Sequence, residues 1–396
     1  MRMLSKLLAG AGAVAATVVL TAGTAGPALA DPPSTPAVGD VVGVGSDTTQ
    51  FLLDQLSNDY NASHATGARL WSWDAVPQGQ TITVKSGGVN SDCTIVRPTG
   101  SSAGITELEQ NATVTGGTGF CIDFARSSRA RATTDPACNT GGICFVALAG
   151  DAVTWASRDA ASGGTNAPAT LTLSQLKNIY LCKTTNWSAV GGANAPIHAF
   201  LPQTSSGTRA FFLTALGGGV PITPGACVSD DGNTLIENEG DAPVLNDADA
   251  IFPYSIADYI AQVFHSAACT NGSNCGYPSA PACTPGAGQN LFGCDVHGVE
   301  QINQIAGKAP TVVKNGKTVI NGKFPAAFQR TVYDVVRYDG TTADHIPAYL
   351  EKFFAASTAT TKGWACSTSK AKTDIQNYGF LFPPKTTING PCGHVS

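Results

Sequence analysis

Three segments of this 396-residue chain place hydroxyl side chains and small residues where an anion is most readily held. They are Gly43-Val44-Gly45-Ser46-Asp47-Thr48-Thr49, Gly100-Ser101-Ser102-Ala103-Gly104-Ile105-Thr106 and Thr204-Ser205-Ser206-Gly207-Thr208-Arg209. Each runs into an apolar pattern of helical spacing. The first N–H groups of a helix lack intrahelical partners, and the dipole is positive there. Glycine lets a ligand approach the backbone, and Ser or Thr adds a neutral donor. Taken singly, each segment also reads as an ordinary N-cap; three in one chain point to convergence on one anion. The first segment lacks the Gly-Lys-Ser/Thr ending of a nucleotide-binding loop and the glycine spacing of a dinucleotide fingerprint.

Positive charge to meet the anion is available in Asp123-Phe124-Ala125-Arg126-Ser127-Ser128-Arg129-Ala130-Arg131. Of the nine arginines beyond residue 30, Arg126, Arg129, Arg131, Arg158 and Arg209 fall close together in sequence. A guanidinium donates in parallel pairs and suits an oxyanion. A solvated loop arginine paired with a nearby Asp gives the same pattern. His64, His198, His265, His297, His345 and His394 stand in no metal-ligand spacing, and no Gly-x-Ser-x-Gly elbow occurs. Hydrogen-bonded binding is expected, with no catalytic group, metal or cofactor.

The elements that must position these residues alternate between short apolar runs and helical patterns, which argues for an α/β fold. Val41 to Gly45 reads as a buried strand, followed by a helix carrying Phe51, Leu52, Leu56 and Tyr60. Further strands are expected at Thr81 to Val84 and Cys121 to Phe124. Ile143 to Leu148 and Ala152 to Trp155 read as one more extended section. Leu173 to Leu181 predicts a short amphipathic helix, and Phe211 to Leu216 a helix stopped by Gly217-Gly218-Gly219. Ile251 to Phe264 is apolar, with Asp258 and Gln262 expected on its wet side. Thr331 to Val336 reads as a late strand and Ile346 to Ala356 as a late helix.

Composition narrows the function classes. Apolar residues make 43% and charged residues 13%, which excludes a disordered chain. The formal charge of −5 excludes a general nucleic-acid binder, which needs basic excess to displace counterions. Beyond the N-terminus no apolar run is long enough to span a bilayer. Residues 1–30 carry Arg2 and Lys6, an apolar stretch from Leu7 to Leu20 and a closing Ala28-Leu29-Ala30. They read as a signal peptide cut after Ala30, with no Cys there for a lipid anchor. Export accounts for the 12 cysteines, read as up to six disulfides. Pairing neighbours in sequence gives Cys93–Cys121, Cys138–Cys144, Cys182–Cys227 and Cys366–Cys392. Cys269, Cys275, Cys283 and Cys294 crowd a Gly/Asn/Pro-rich stretch, read as a disulfide-laced insertion at about 266–298.

Together these segments resemble the phosphate-binding proteins of ABC importers, within the type II periplasmic-binding-protein superfamily. The matching pieces are Gly43-x-Gly45, Arg97-Pro98-x-Gly100-Ser101-Ser102-x-Gly104, Asp123-Phe124-Ala125-x-Ser127 and Ser206-Gly207-Thr208. Leu171-Thr172-Leu173-Ser174-Gln175-Leu176-x-x-Ile179-Tyr180, then Thr185-Asn186-Trp187 and Gly191-Gly192, is similar to the family's middle-domain signature. The resemblance implies two α/β lobes with a ligand cleft between them. Residues 31–152 and 325–396 would form the first lobe and 153–324 the second. It also implies ligand contacts at Asp47, Thr48, Ser101, Ser206, Gly207 and Thr208, with Ser102 and Ser128 beside them. The family's best-known members carry a carboxylate where Ser128 stands and an Arg where Pro202 stands. Here Arg126 or Arg209 would supply the charge, and Asp47 the acceptor.

The expected function is capture of an inorganic oxyanion, phosphate first, by an exported monomer, in the family for an ABC importer's membrane subunits. The alternatives are a secreted phosphatase using the same pocket and a surface protein that has lost the small ligand.

Overall fold

The computed structural model describes residues 31–64, 66–86, 93–110, 119–139, 141–265, 270–271, 283–284, 293, 295–341, 345–354, 363–384 and 391–396. Nine strands form its main sheet: β1 (Val41–Gly45), β2 (Leu70–Ser72), β3 (Phe124–Ser127), β4 (Ile143–Arg158), β5 (His198–Phe200), β6 (Val228–Ser229), β7 (Ala250–Ser255), β8 (Glu300–Ile302) and β9 (Gln329–Arg337). Their order is β2-β1-β3-β9-β4-β7-β5-β6, with β8 also pairing β4. β1 runs parallel to β2 and β3, and β9 runs antiparallel to β3 and β4. Parallel neighbours need helical crossovers. α1 (Gln50–Ser63) and α2 (Ser101–Gln110) lie in the connections that follow β1 and precede β3.

β4 organises the molecule. It is 16 residues long and buried along its length except at Arg158. From Ile143 to Ala152 it pairs with β9; from Val153 onward its partners are β7 and β8. One strand thus threads two lobes. The extended section expected over Ile143 to Leu148 and Ala152 to Trp155 is one continuous strand, because Gly150 and Asp151 interrupt the apolar residues without interrupting the ladder.

Each face of the sheet is covered by apolar side chains, following the two-residue alternation of a strand. Val41 belongs to the core beneath α1 with Leu52, Leu53 and Leu56, whereas Val42 and Val44 pack with Ile105 and Leu108 of α2. The core that holds Val41 and α1 continues through Trp155, Trp187, Tyr180 and Phe212. Tyr180 and Trp187 come from α3 (Leu173–Tyr180) and the turn after it, and Phe212 from α4 (Gly207–Leu216). α3 begins at a capping box in which Thr172 and Gln175 satisfy each other's orphan donors.

Several elements differ from the sequence reading. The strand expected at Cys121 to Phe124 begins only at Phe124, because Asp123 spends its carboxylate on Val42 N (2.8 Å) and Lys85 Nζ (2.6 Å). Thr81–Lys85 pairs with Cys93–Val96 in a separate hairpin. Ile251 to Phe264 divides into β7, a short helix α5 (Ile256–Ile260) and a wider turn. Gln262, expected on the wet side, is buried, donating to Asn238 O and accepting from Tyr254. The late helix runs Ala348–Phe354 within the described residues.

The four neighbour pairings are present: Cys93–Cys121, Cys138–Cys144, Cys182–Cys227 and Cys366–Cys392. The side chains of Cys269, Cys275, Cys283 and Cys294, and most of the 266–298 insertion, lie outside the described residues. Among the described residues no helix is long and apolar enough to cross a membrane.

Candidate functional site

The chain leaves β1 at Gly45 with φ +119°, and a Cβ there would sit 2.7 Å from the carbonyl of Arg126. Only glycine makes that turn without strain. It sends Ser46, Asp47 and Thr48, all of them buried, toward the start of α4 ahead of α1. From the other side, Ser206 caps α4 by accepting from Arg209 N at 3.0 Å, which leaves its own hydroxyl proton free to donate. Gly207 allows the lobes to meet. A Cβ on it would fall 2.2 Å from Ser101 Oγ and 2.3 Å from Ser128 Oγ. Ser102 N donates to Ser205 O at 3.0 Å and Ser205 Oγ to Thr99 O at 2.6 Å, so the two lobes are in direct contact.

These donors converge on a carboxylate that sequence reasoning missed. Glu237 Oε1 accepts from Ser46 Oγ at 2.9 Å and Thr48 Oγ1 at 3.2 Å, both from the loop after β1. Its Oε2 accepts from Thr208 N at 2.8 Å and from the Ser206 hydroxyl, both at the start of α4. A chain of hydroxyls continues from Ser46 to Ser128 (3.1 Å) and from Ser128 to Ser101 (3.2 Å). The adjoining Asn238 has φ 63°, a left-handed conformation that asparagine tolerates. Asn238 Nδ2 donates to Asp47 Oδ1 and Thr48 Oγ1, each at 3.0 Å, while Asn238 Oδ1 accepts from Ser255 N at 2.9 Å.

The cation at this cluster is Arg330, near the start of β9. Its Nη1 donates to Thr208 Oγ1 at 3.1 Å and to Ser128 O at 3.0 Å, one partner in each lobe. Its Nε donates to Asp151 Oδ2 at 2.8 Å. Nη2 stands 2.7 Å from the same oxygen, so the guanidinium is ion-paired to Asp151 on one side and meets the cluster through Nη1. Asp151 also receives Ser255 Oγ and Ala257 N, so it is fully engaged where β4 changes partners.

Asp47, Thr48, Ser101, Ser128, Ser206, Gly207 and Thr208 are brought together here. Ser102 faces sideways, its hydroxyl accepting from Arg129 Nε at 3.0 Å. Arg126 lies behind the first loop, donating to Ser46 O at 2.9 Å and Ser72 Oγ at 2.7 Å. It holds the loop's backbone; burial pulls its pKa down against the opposing charges of Asp54 and Asp74. Arg209 reaches Pro202 O and Asp230, each at 2.8 Å, and braces the second-lobe loop. Burial, reinforced by the charge of Glu237, pushes the Asp47 carboxyl well above the usual carboxylate range. Arg330 follows Gln329 directly ahead of the expected Thr331 strand, and a polar pair entering a buried strand is the one signal that marks it. Glu237 sits in an irregular loop with no periodicity to flag it. Asp247 and Asp249, with His198 from far earlier in the chain, place one ligand atom each within 4.8 Å of one another near the surface. They are engaged by a His198–Asp247 hydrogen bond and an Asn166–Asp249 hydrogen bond.

The PBP superfamily domain matches residues 30–274, more than half of the chain, and the protein belongs to that superfamily. No curated protein matches the sequence. Among solved structures the chain is similar to an ABC-type phosphate transport receptor from Vibrio cholerae. That pair shares 18% identity, with 87% of this chain and 100% of that one covered and a TM-score of 0.46. It is also similar to a putative phosphate ABC transporter substrate-binding protein from Clostridium perfringens, at 13% identity, 86% and 98% coverage and TM-score 0.44. A third is a phosphate-binding protein from Stenotrophomonas maltophilia, at 12% identity, 86% and 90% coverage and TM-score 0.42.

Proposed function

We propose that this protein captures an inorganic oxyanion, phosphate first, between its lobes, as the exported receptor of an ABC importer. One observation carries the reading: a buried oxyanion, the carboxylate of Glu237, is already held by hydroxyl and backbone donors from both lobes. A free tetrahedral oxyanion presents the same acceptor atoms and more of them. Arg330 adds a buried guanidinium whose Nη1 meets Thr208 and Ser128. Fixed dipoles and one guanidinium act locally, so an acidic chain is no obstacle.

The mechanism is closure of two lobes on the ligand. The first lobe takes residues 31–152 and 325–396, and the second takes 153–324. The division follows β4, whose partner changes between Ala152 and Val153, and the return of the chain into β9. Selectivity comes from hydrogen-bond geometry more than from net charge. The exported chain loses residues 1–30 and acts outside the cytoplasm as a binding protein without catalysis. Equilibrium dialysis of the oxidised protein against labelled phosphate tests this. Saturable binding that weakens at least about tenfold in Ser206→Ala is expected, since a lost charge-assisted hydrogen bond is worth roughly 1.5–3 kcal/mol. Unchanged binding in Ser206→Ala moves the site elsewhere.

A further inference from the structure

We propose that Glu237 is a tethered stand-in ligand: its carboxylate closes the cleft in the anion's place, and an incoming oxyanion must displace it. The proposal of displacement rests on the oxyanion reading above; the closing role does not. The donors that would bind an anion are the donors Glu237 consumes. Oε1 takes Ser46 and Thr48 of the first lobe, and Oε2 takes Ser206 and the Thr208 N–H of the second. Each oxygen therefore faces one lobe, and the carboxylate bridges the two as a bound anion would. Glu237 is fully buried, so this is no surface side chain resting on a groove.

The backbone that presents Glu237 is held firmly. Asn238 O accepts from the Tyr254 hydroxyl and from Gln262 Nε2 at 3.0 Å, and Asn238 Oδ1 accepts from Ser255 N. All three partners lie in the second lobe. Asn238 Nδ2, in contrast, reaches across to Asp47 and Thr48. Residues 237 and 238 together form a clasp, rooted in one lobe and hooked on the other. Because the root is fixed, release requires a change at the Glu237 side chain and its hydroxyl partners rather than an unfolding of the loop.

The consequence for binding is competition within one molecule. A tethered carboxylate has a high effective concentration at the cradle, so it lowers the apparent affinity for free anion by the fraction of molecules it keeps closed. It also keeps the hydroxyls and the Thr208 N–H paired while no anion is bound, where burial would otherwise leave them unsatisfied. A weak ligand would fail to displace it; a ligand with more acceptor atoms and more charge would succeed. Glu237 thereby sets a threshold for what the cleft accepts.

The test compares wild type, Glu237→Gln and Glu237→Ala by small-angle scattering in anion-free buffer and by titration with inorganic phosphate. Circular dichroism first establishes that each variant is folded. Glu237→Gln keeps the volume should the smaller side chain fail to fold. The expected result is a larger radius of gyration for the variants without anion, compaction on adding phosphate, and phosphate affinity at least about tenfold tighter than wild type. Variants as compact as wild type in anion-free buffer would overturn the clasp. Weaker phosphate binding with sulfate now admitted would overturn it too, by making Glu237 an acceptor for the ligand's proton. Opening of the variant cleft with no anion bound by any form would support the clasp while overturning the phosphate reading itself.

Discussion

Arg330 and Asp151 form a buried ion pair at the point where both lobes meet, with side-chain exposures of 2% and 0%. Removing one partner of such a pair leaves the other charge uncompensated, which costs about 3–5 kcal/mol. Arg330→Met is expected to lose stability on that scale in denaturant titration and to weaken anion binding as well. A near-neutral effect on both would remove Arg330 from the centre of the site. Gly207 makes a different point about distance. Its missing Cβ is what lets Ser101 and Ser128 approach α4, so Gly207→Ala is expected to weaken phosphate binding by at least about tenfold while leaving helix content unchanged. An unaltered affinity would mean that the lobes close without that contact. At this scale the sequence was partly readable. Thr48, Ser101, Ser206 and Thr208 announce themselves by sitting at helix starts, whereas Ser46 was not among the expected contacts. Arg126 and Arg209 share the chemistry of Arg330 but turn to backbone carbonyls and Asp230, a choice made by tertiary packing. Glu237 carries no local mark, because its role depends on two loops far from it in the chain.

At the scale of elements, β9 carries the clearest pH signature. Asp334 lies opposite Arg126 of β3 and is buried, with neither carboxylate oxygen hydrogen-bonded. Burial outweighs the attraction of Arg126 and pushes its carboxyl up to about 8. An unfolded Asp titrates near ~3.9. Between those values the native chain holds a proton that the unfolded chain has released, so stability falls as pH rises through that window. Asp334→Asn is expected to flatten the decline in Tm between pH 6 and pH 9 (about those values bracket the native titration); parallel curves for variant and wild type would contradict this. Disulfides act on elements through loop length. Cys182–Cys227 spans 45 residues, tying the end of α3 to the approach to β6, whereas Cys138–Cys144 spans 6. Loop closure gives about 4 kcal/mol for the longer and about 2 kcal/mol for the shorter. Replacing each pair by serines should therefore destabilise unequally in that order in urea. Helices were legible because apolar periodicity and caps coincide, as at Thr172. β4 was legible as one extended section although Gly150 and Asp151 break the apolar run, and at that break Asp151 anchors Arg330.

For the whole molecule, the formal charge of −5 means that long-range attraction does not bring the anion in. On the proposed reading, capture depends on hydroxyl and backbone donors of the loop after β1 and the start of α4, now gathered on Glu237, and not on net charge. The two-lobe α/β architecture was legible from alternating elements and from motifs shared with a known family. The crossing of β4 from one lobe to the other was not, since it is set by which strands it finds as partners. Calorimetric titration of the oxidised protein, stripped of bound anion, with phosphate and then sulfate tests the central claim most directly. Saturable phosphate binding at micromolar affinity or tighter, with weaker sulfate binding, is the expected result. A folded sample that evolves no heat with either anion would contradict oxyanion capture.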